Sequence, residues 1–262
     1  MSESHADGGA WIRRFHPSPD ADVRLVCFPH AGGSASFFHA LSRDLAPGVE
    51  VLSVQYPGRQ DRRGEPNITD MTQLADRAAE ALLPVLTAPA APDSGTPFAL
   101  FGHSMGSTLA YEVARRLQAA GHRAAALFVS GRRAPQRVVD DGLHQLSDED
   151  IVTDIMALDG TDTPVFGDPE VLSLVLPSIR ADYRAAETYR YAPGPLLDCP
   201  IHAMTGFSDP RVPAGELHHW AACTEGPFTL DVFSGGHFYL TAGHAEVTRG
   251  LAERLLPTPV AG

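Results

Sequence analysis

The stretch that most limits what this chain can become is Phe98-Ala99-Leu100-Phe101, running straight into Gly102-His103-Ser104-Met105-Gly106. The first four residues predict a buried strand. Beyond the turn, Leu109, Val113 and Leu117 recur at helical spacing and predict a helix over 107–119. A strand, a sharp turn and a helix around Gly-x-Ser-x-Gly are the context of a nucleophile elbow. Such a turn strains the serine backbone, and the flanking glycines let neighbouring chain pass where a Cβ would clash. Ser104 Oγ is then presented at the carboxyl end of a sheet. The helix N-terminus beneath it offers unpaired N–H groups and a positive dipole end, both suited to a developing oxyanion. The five letters alone also fit a glycine-rich turn that happens to hold a serine.

The rest of the chain supplies the sheet. Residues 1–10 are expected to be disordered, and Trp11 to Pro17 to be a segment pinned to the domain edge. Val23 to Phe28 predicts the first clear strand. It ends in Pro29-His30-Ala31-Gly32-Gly33-Ser34, ahead of a helix over about 36–45. This glycine-rich loop has two readings: a tight strand-to-helix connection, or the second half of an oxyanion hole. Val51 to Val54 predicts a strand leading to the turn Tyr56-Pro57-Gly58-Arg59, and 71–86 an amphipathic helix. The Pro-, Ala- and Ser-rich run 87–96 reads as a surface connection. Ala124 to Ser130 predicts another buried strand. Strands alternating with helices indicate an α/β architecture with a mostly parallel, doubly wound sheet.

From Arg132 to Leu197 the alternation stops. A helix is expected over 147–158, a break at 159–164, and further helix over 168–191 interrupted at Pro177. This is expected to be a helical lid over the carboxyl-end face, where open α/β sheets bind ligands. An exposed helical decoration is the alternative. Ile201 to Gly206 and Phe228 to Phe233 predict the last strands, and 245–256 the closing helix. The expected division is therefore a first core part at 11–131, a lid subdomain at 132–197 and a second core part at 198–262.

Composition narrows the function. A net charge of −12 argues against a general nucleic-acid binder and against electrostatic attachment to anionic membranes. The first residues do not have the form of a signal peptide, and no apolar run is long enough for a membrane span. Cys27, Cys199 and Cys223 show neither pairing logic nor metal-ligand spacing, and read as small buried hydrophobes of a reducing cytoplasm. His218-His219 lacks a third ligand at suitable spacing, so no metal and no cofactor is expected.

A serine hydroxyl needs a base to take its proton. Among twelve histidines, His237 follows the final strand through Ser234-Gly235-Gly236, the base position in the order Ser, Asp, His. Asp209 lies just past the preceding strand and can orient the imidazole. Asp198 precedes its strand and Asp231 lies inside one, so both are weaker candidates. His103 is expected to pack, His202 to be a satisfied strand residue and His30 to support its loop. The oxyanion hole is expected at the backbone N–H groups of Ala31 and Met105. Composition and spacing alone carry the reading as far as a serine hydrolase.

Several segments resemble one known family: Trp11-Ile12-Arg13-Arg14-Phe15, Phe28-Pro29-His30-Ala31-Gly32-Gly33-Ser34, Gln55-Tyr56-Pro57-Gly58-Arg59, Gly102-His103-Ser104-Met105-Gly106, Arg180-Ala181-Asp182-Tyr183, Cys199-Pro200-Ile201, Gly206-Phe207-Ser208-Asp209-Pro210 and Gly235-Gly236-His237-Phe238. Together they are similar to the type II thioesterases of modular polyketide and nonribosomal peptide synthases. The likeness runs from about Trp11 to Leu256. It implies an α/β-hydrolase fold with a helical lid insertion. It implies as substrate an acyl group held as a thioester on the phosphopantetheine arm of an acyl or peptidyl carrier protein, met in trans, and an editing role that clears stalled units. Two other classes stay open: an esterase or peptidase acting on free small molecules, and a non-catalytic binding protein on the same scaffold.

Overall fold

The computed structural model describes residues 9–87, 96–137, 139–158 and 169–256. The expected disorder at 1–10, the connection at 87–96 and the break at 159–164 fall wholly or largely outside them.

One seven-stranded sheet organises the chain in the order β1-β3-β2-β4-β5-β6-β7. Its strands are β1 (Ile12–Arg13), β2 (Val23–Phe28), β3 (Val49–Val54), β4 (Phe98–His103), β5 (Leu127–Ser130), β6 (Ile201–Gly206) and β7 (Phe228–Phe233). All neighbours pair in parallel except β1, which runs antiparallel along β3 with Ile12 opposite Val54. The expected edge segment is thus a short strand. From β2 the chain steps outward to β3, then returns across β2 to β4. Phe28 of β2 lies opposite Gly102 of β4, so the carboxyl ends of these two strands flank the reversal point. Diverging loops leave a crevice there.

Helices cover both faces: α1 (His39–Leu45), α2 (Met71–Thr87), α3 (Met105–Ala119), α4 (Asp148–Met156), α5 (Pro169–Thr188), α6 (Ala214–Leu217), α7 (Tyr239–Ala242) and α8 (His244–Leu255). Alternation along β2 divides the core. Val26 and Phe28 face α2 and α3, packing with Leu74, Leu109 and Val113. Leu25 and Cys27 face α1 and α8, packing with Leu41, Val247 and Leu251. The period of two sends successive side chains to opposite faces, so a strand covered on both sides must be apolar throughout. Every residue of β4 is buried accordingly.

Between β5 and β6 the described residues form no strand. α4 and α5 enclose a smaller apolar cluster of Ile151, Ile155, Leu176, Ile179 and Tyr183, against which Ala31 packs. Ser147 caps α4 by accepting the Asp150 N–H at 3.1 Å, and Asp148, Glu149 and Asp150 complement the dipole of the first turn. Two expectations change here. The helix expected to be interrupted at Pro177 runs through it, because burial of Leu176, Ile179 and Tyr183 in the same cluster outweighs one missing backbone donor. The helix expected from 36 begins as a 3₁₀ turn, Ala35–Phe38, before α1.

The close approach at the elbow gives a direct test. A Cβ on Gly106 would sit 2.1 Å from the carbonyl oxygen of Phe28, and one on Gly102 would sit 2.2 Å from that of Gly106. Both obstacles are backbone. Gly106→Ala is expected to cost about 3 kcal/mol or to prevent folding. Gly64→Ala, where a Cβ meets nothing within 4 Å, should stay within about 0.5 kcal/mol. Urea unfolding of the two variants makes the comparison.

Candidate active site

Ser104 stands between β4 and α3 with φ +53° and ψ −121°, in a region that side chains other than glycine rarely enter. Local hydrogen bonds hold it there. The Ser104 N–H donates to the Ser130 carbonyl at 2.8 Å. Ser107 Oγ lies 2.7 Å from the Gly102 carbonyl, and accepts the Ser130 N–H at 3.0 Å. Met105 opens α3, so its N–H belongs to the first turn, where helix donors have no partner within the helix.

Asp209 and His237 meet. His237 Nδ1 lies 2.9 Å from Asp209 Oδ2, with the side chains 2% and 0% exposed. The turn after β6 orients the carboxylate. Its Oδ1 accepts the N–H groups of Arg211 at 2.8 Å and Val212 at 3.1 Å, which leaves Oδ2 for the imidazole. With Nδ1 committed to Asp209, the available nitrogen of His237 is Nε2. Gly206, at the end of β6, serves close passage. A Cβ on Gly206 would lie 2.1 Å from the Gly236 carbonyl, so β6 and the turn after β7 can lie this close only because position 206 is glycine.

Ser104, Met105, His237 and Ala31 line one cavity of about 580 Å³ at the carboxyl edge of the sheet. Ile155, Leu158, Val175 and Ile179 of the helical insertion form an apolar wall. Arg132, Glu187 and Arg211 add charged groups to the lining. Arg211 pairs with Asp154, and Arg132 donates to the Ala186 carbonyl at 3.1 Å. A cavity of this size suits a small organic ligand.

His103, His30 and His202 fall as expected. His103 is fully buried, 3.0 Å from Ser130 Oγ, with its ring centroid 5.1 Å from that of His237. Burial first, then repulsion from His237 and His30, pushes its pKa well below 6.5. His30 packs edge-on to Phe37 and Phe238. Burial, with the His237 and Arg59 charges added, lowers its pKa to about 3. Both rings are therefore neutral beside His237 at neutral pH. His202 is paired with Thr229 Oγ1 at 2.7 Å.

Among the described residues, Asp140, His144 and Glu187 group closely enough to suggest a metal. Their hydrogen bonds account for them otherwise. Glu187 accepts the N–H groups of Leu143 at 2.9 Å and His144 at 3.0 Å, and lies 2.6 Å from His144 Nδ1.

Sequence reading missed a set of residues behind the loop after β2. Tyr56 OH donates to the Pro29 carbonyl at 3.0 Å, and Gln55 Oε1 accepts the Ala35 N–H at 2.8 Å. Arg59 and Asp182 form a two-pronged pair at 2.6 and 2.9 Å, and Asp182 Oδ2 also accepts the Gly32 N–H at 2.8 Å. Their one visible signal was that Tyr56-Pro57-Gly58-Arg59 and Arg180-Ala181-Asp182-Tyr183 contributed to the family likeness without any chemical role attached.

With this geometry in hand, comparison with known proteins is informative. The thioesterase domain family matches residues 23–255. Thioesterase PikA5 of Streptomyces venezuelae is 48% identical over 255 residues, covering 97% of this chain and 88% of PikA5. Gramicidin S biosynthesis protein GrsT of Aneurinibacillus migulanus is 34% identical over 247 residues, covering 94% and 93%. The solved structure of BorB, the type II thioesterase from the borrelidin biosynthetic cluster, superposes with a TM-score of 0.84 at 51% identity, covering 94% of this chain and 98% of BorB. The chain belongs to the thioesterase family, as a type II thioesterase of α/β-hydrolase fold.

Proposed function

We propose that this thioesterase hydrolyses acyl groups from the phosphopantetheine arm of acyl or peptidyl carrier proteins, clearing stalled or aberrant units from a polyketide or nonribosomal peptide synthase. Ser104 is the nucleophile, His237 the base and Asp209 its orienting partner. The N–H groups of Ala31 and Met105 form the oxyanion hole. We assign the activity to the cytoplasm. Three buried, unpaired cysteines support that assignment, and no described helix is long and apolar enough to cross a membrane. The observation that carries the reading is the Asp209–His237 pair, held at 2.9 Å on the cavity that also receives the strained Ser104.

The chemistry follows from the groups. Ser104 Oγ attacks the thioester carbonyl carbon as its proton passes to His237 Nε2. Negative charge develops on the carbonyl oxygen, between the two backbone donors. The C–S bond breaks, and the departing sulfur takes the proton from His237. Water then gives a proton to the same nitrogen and attacks the acyl-enzyme. Collapse of the second intermediate returns that proton to Ser104 Oγ and releases the free acid.

Carrier proteins bearing a series of acyl groups test this. Wild type should release free acid, with preference for short chains, and Ser104→Ala should lower the rate by roughly 10⁴-fold or more. Equal release by the variant would remove the mechanism. Matched oxygen esters turned over as well as the carrier thioesters would favour an esterase. Asp209→Asn should lower kcat about 10⁴-fold while the protein remains folded.

The neutral histidines beside the base set a stability trend with pH. Their folded pKa values lie below 6.5, so as pH falls through that value the unfolded chain takes up protons that the folded chain refuses. Stability should therefore fall as pH drops from about 6.5 towards 4. His103→Gln, which removes one of these groups, should show a shallower loss. Urea unfolding at several pH values reads both slopes, and equal slopes would contradict the expectation.

A further inference from the structure

The Asp182 carboxylate is buried where three elements converge. It comes from α5, and its residue is 1% exposed. Its Oδ2 takes the Gly32 N–H at 2.8 Å and Arg59 Nη1 at 2.6 Å, while Oδ1 takes Arg59 Nη2 at 2.9 Å. Arg59 Nη1 also donates to the Gly33 carbonyl at 3.0 Å. Both polar faces of the Gly32-Gly33 segment are therefore gripped, its N–H by the acid and its carbonyl by the base. The helix sits so close that a Cβ on Gly32, at φ +74°, would lie 2.4 Å from Ile179 Cγ1.

Stability alone does not account for such a pair. Taking two charges out of water is costly, and well-packed apolar side chains of similar volume often serve the fold as well or better. Burial lowers the Arg59 pKa and the Asp182 carboxylate more than reverses that, so the guanidinium stays charged. What the pair supplies beyond packing is direction. A carboxylate fixed by a two-pronged arginine has little freedom to rotate, so the hydrogen bond it accepts from Gly32 has a fixed place.

We propose that Asp182, held by Arg59, is a positioning residue for the oxyanion hole. It fixes the loop one residue beyond Ala31, so that the Ala31 N–H points at the reacting oxygen. This rests on the assignment of Ala31 as a donor. Asp182 lies 150 positions from Gly32 in the chain and belongs to the helical insertion. The insertion thereby completes the catalytic machinery as well as forming a wall of the cavity.

Two double variants separate this role from charge pairing. Arg59→Met with Asp182→Leu removes both the ion pair and the acceptor for Gly32. Arg59→Met with Asp182→Asn removes the ion pair but keeps an acceptor oxygen. Activity is measured on a soluble short-chain acyl thioester and expressed per active site, counted by complete fluorophosphonate labelling of Ser104. The Leu form should lose about 10²-fold in kcat with KM little changed, and the Asn form should recover at least about tenfold of that loss. Asp182→Glu, which keeps the charge but displaces the carboxylate, should also lower kcat per labelled site. It serves where the double variants do not fold. Equal kcat per labelled site in the two double variants, or an unchanged value in Asp182→Glu, would overturn the proposal, as would an effect confined to KM. Wild-type turnover abolished by Ser104→Ala establishes separately that the hydrolase reading stands.

Discussion

The whole arrangement depends on how closely one helix can approach one sheet. α3 begins where its Gly106 touches the carbonyl of Phe28, at the end of the neighbouring strand β2, and where Gly102 touches the carbonyl of Gly106. At that separation the chain turns from strand to helix through Ser104, held at positive φ. Holding a non-glycine residue there costs about 1–3 kcal/mol. The backbone bond from Ser104 to Ser130 and the Ser107 hydroxyl offset that cost by tying the turn to β5. The strained residue is thus over-determined by its surroundings, and its side chain has little choice of direction.

Four strand ends carry the groups proposed to do the chemistry. β2 leads to the loop carrying Ala31, β4 to Ser104, β6 to Asp209 and β7 to His237. Parallel pairing brings all four ends to one edge, and the reversal between β2 and β4 opens the crevice between the first two. Each group is then refined locally. Asp209 is turned by the backbone donors of Arg211 and Val212, and His237 is packed against His103 and Phe238. Neutral neighbours matter for the proposed role of His237, because a charged ring beside it would oppose an imidazolium there.

How much of this could be read in advance follows the range of the interactions. The strands β2, β4, β6 and β7 show as apolar runs, and Ser104, Asp209 and His237 each follow one, so their assembly at one edge follows from topology. The contact between Asp209 and His237 needs only adjacent parallel strands, β6 and β7. The bond from Asp182 to Gly32 follows no such rule. It joins a helix of the insertion to a loop of the core, and neither periodicity nor turn chemistry encodes that docking. The passage of α5 through Pro177 is similar, since local propensity ends a helix there and only tertiary burial of Leu176 and Ile179 keeps it going. The start of β3 at Val49 and the 3₁₀ turn before α1 are boundary effects of the kind that fray any element end.

The fastening of α5 after Pro177 has a mechanical consequence. After Pro177 the helix is bolted to the core through Ser178 to the Gly58 carbonyl and Asp182 to Arg59, and just past its end Tyr189 reaches Glu112. Before Pro177 it carries Leu174 at 68% exposed, with Val175 facing the cavity. The clamped rear of α5 therefore ties the loop after β2 to the core through Asp182 and keeps it in register with the serine.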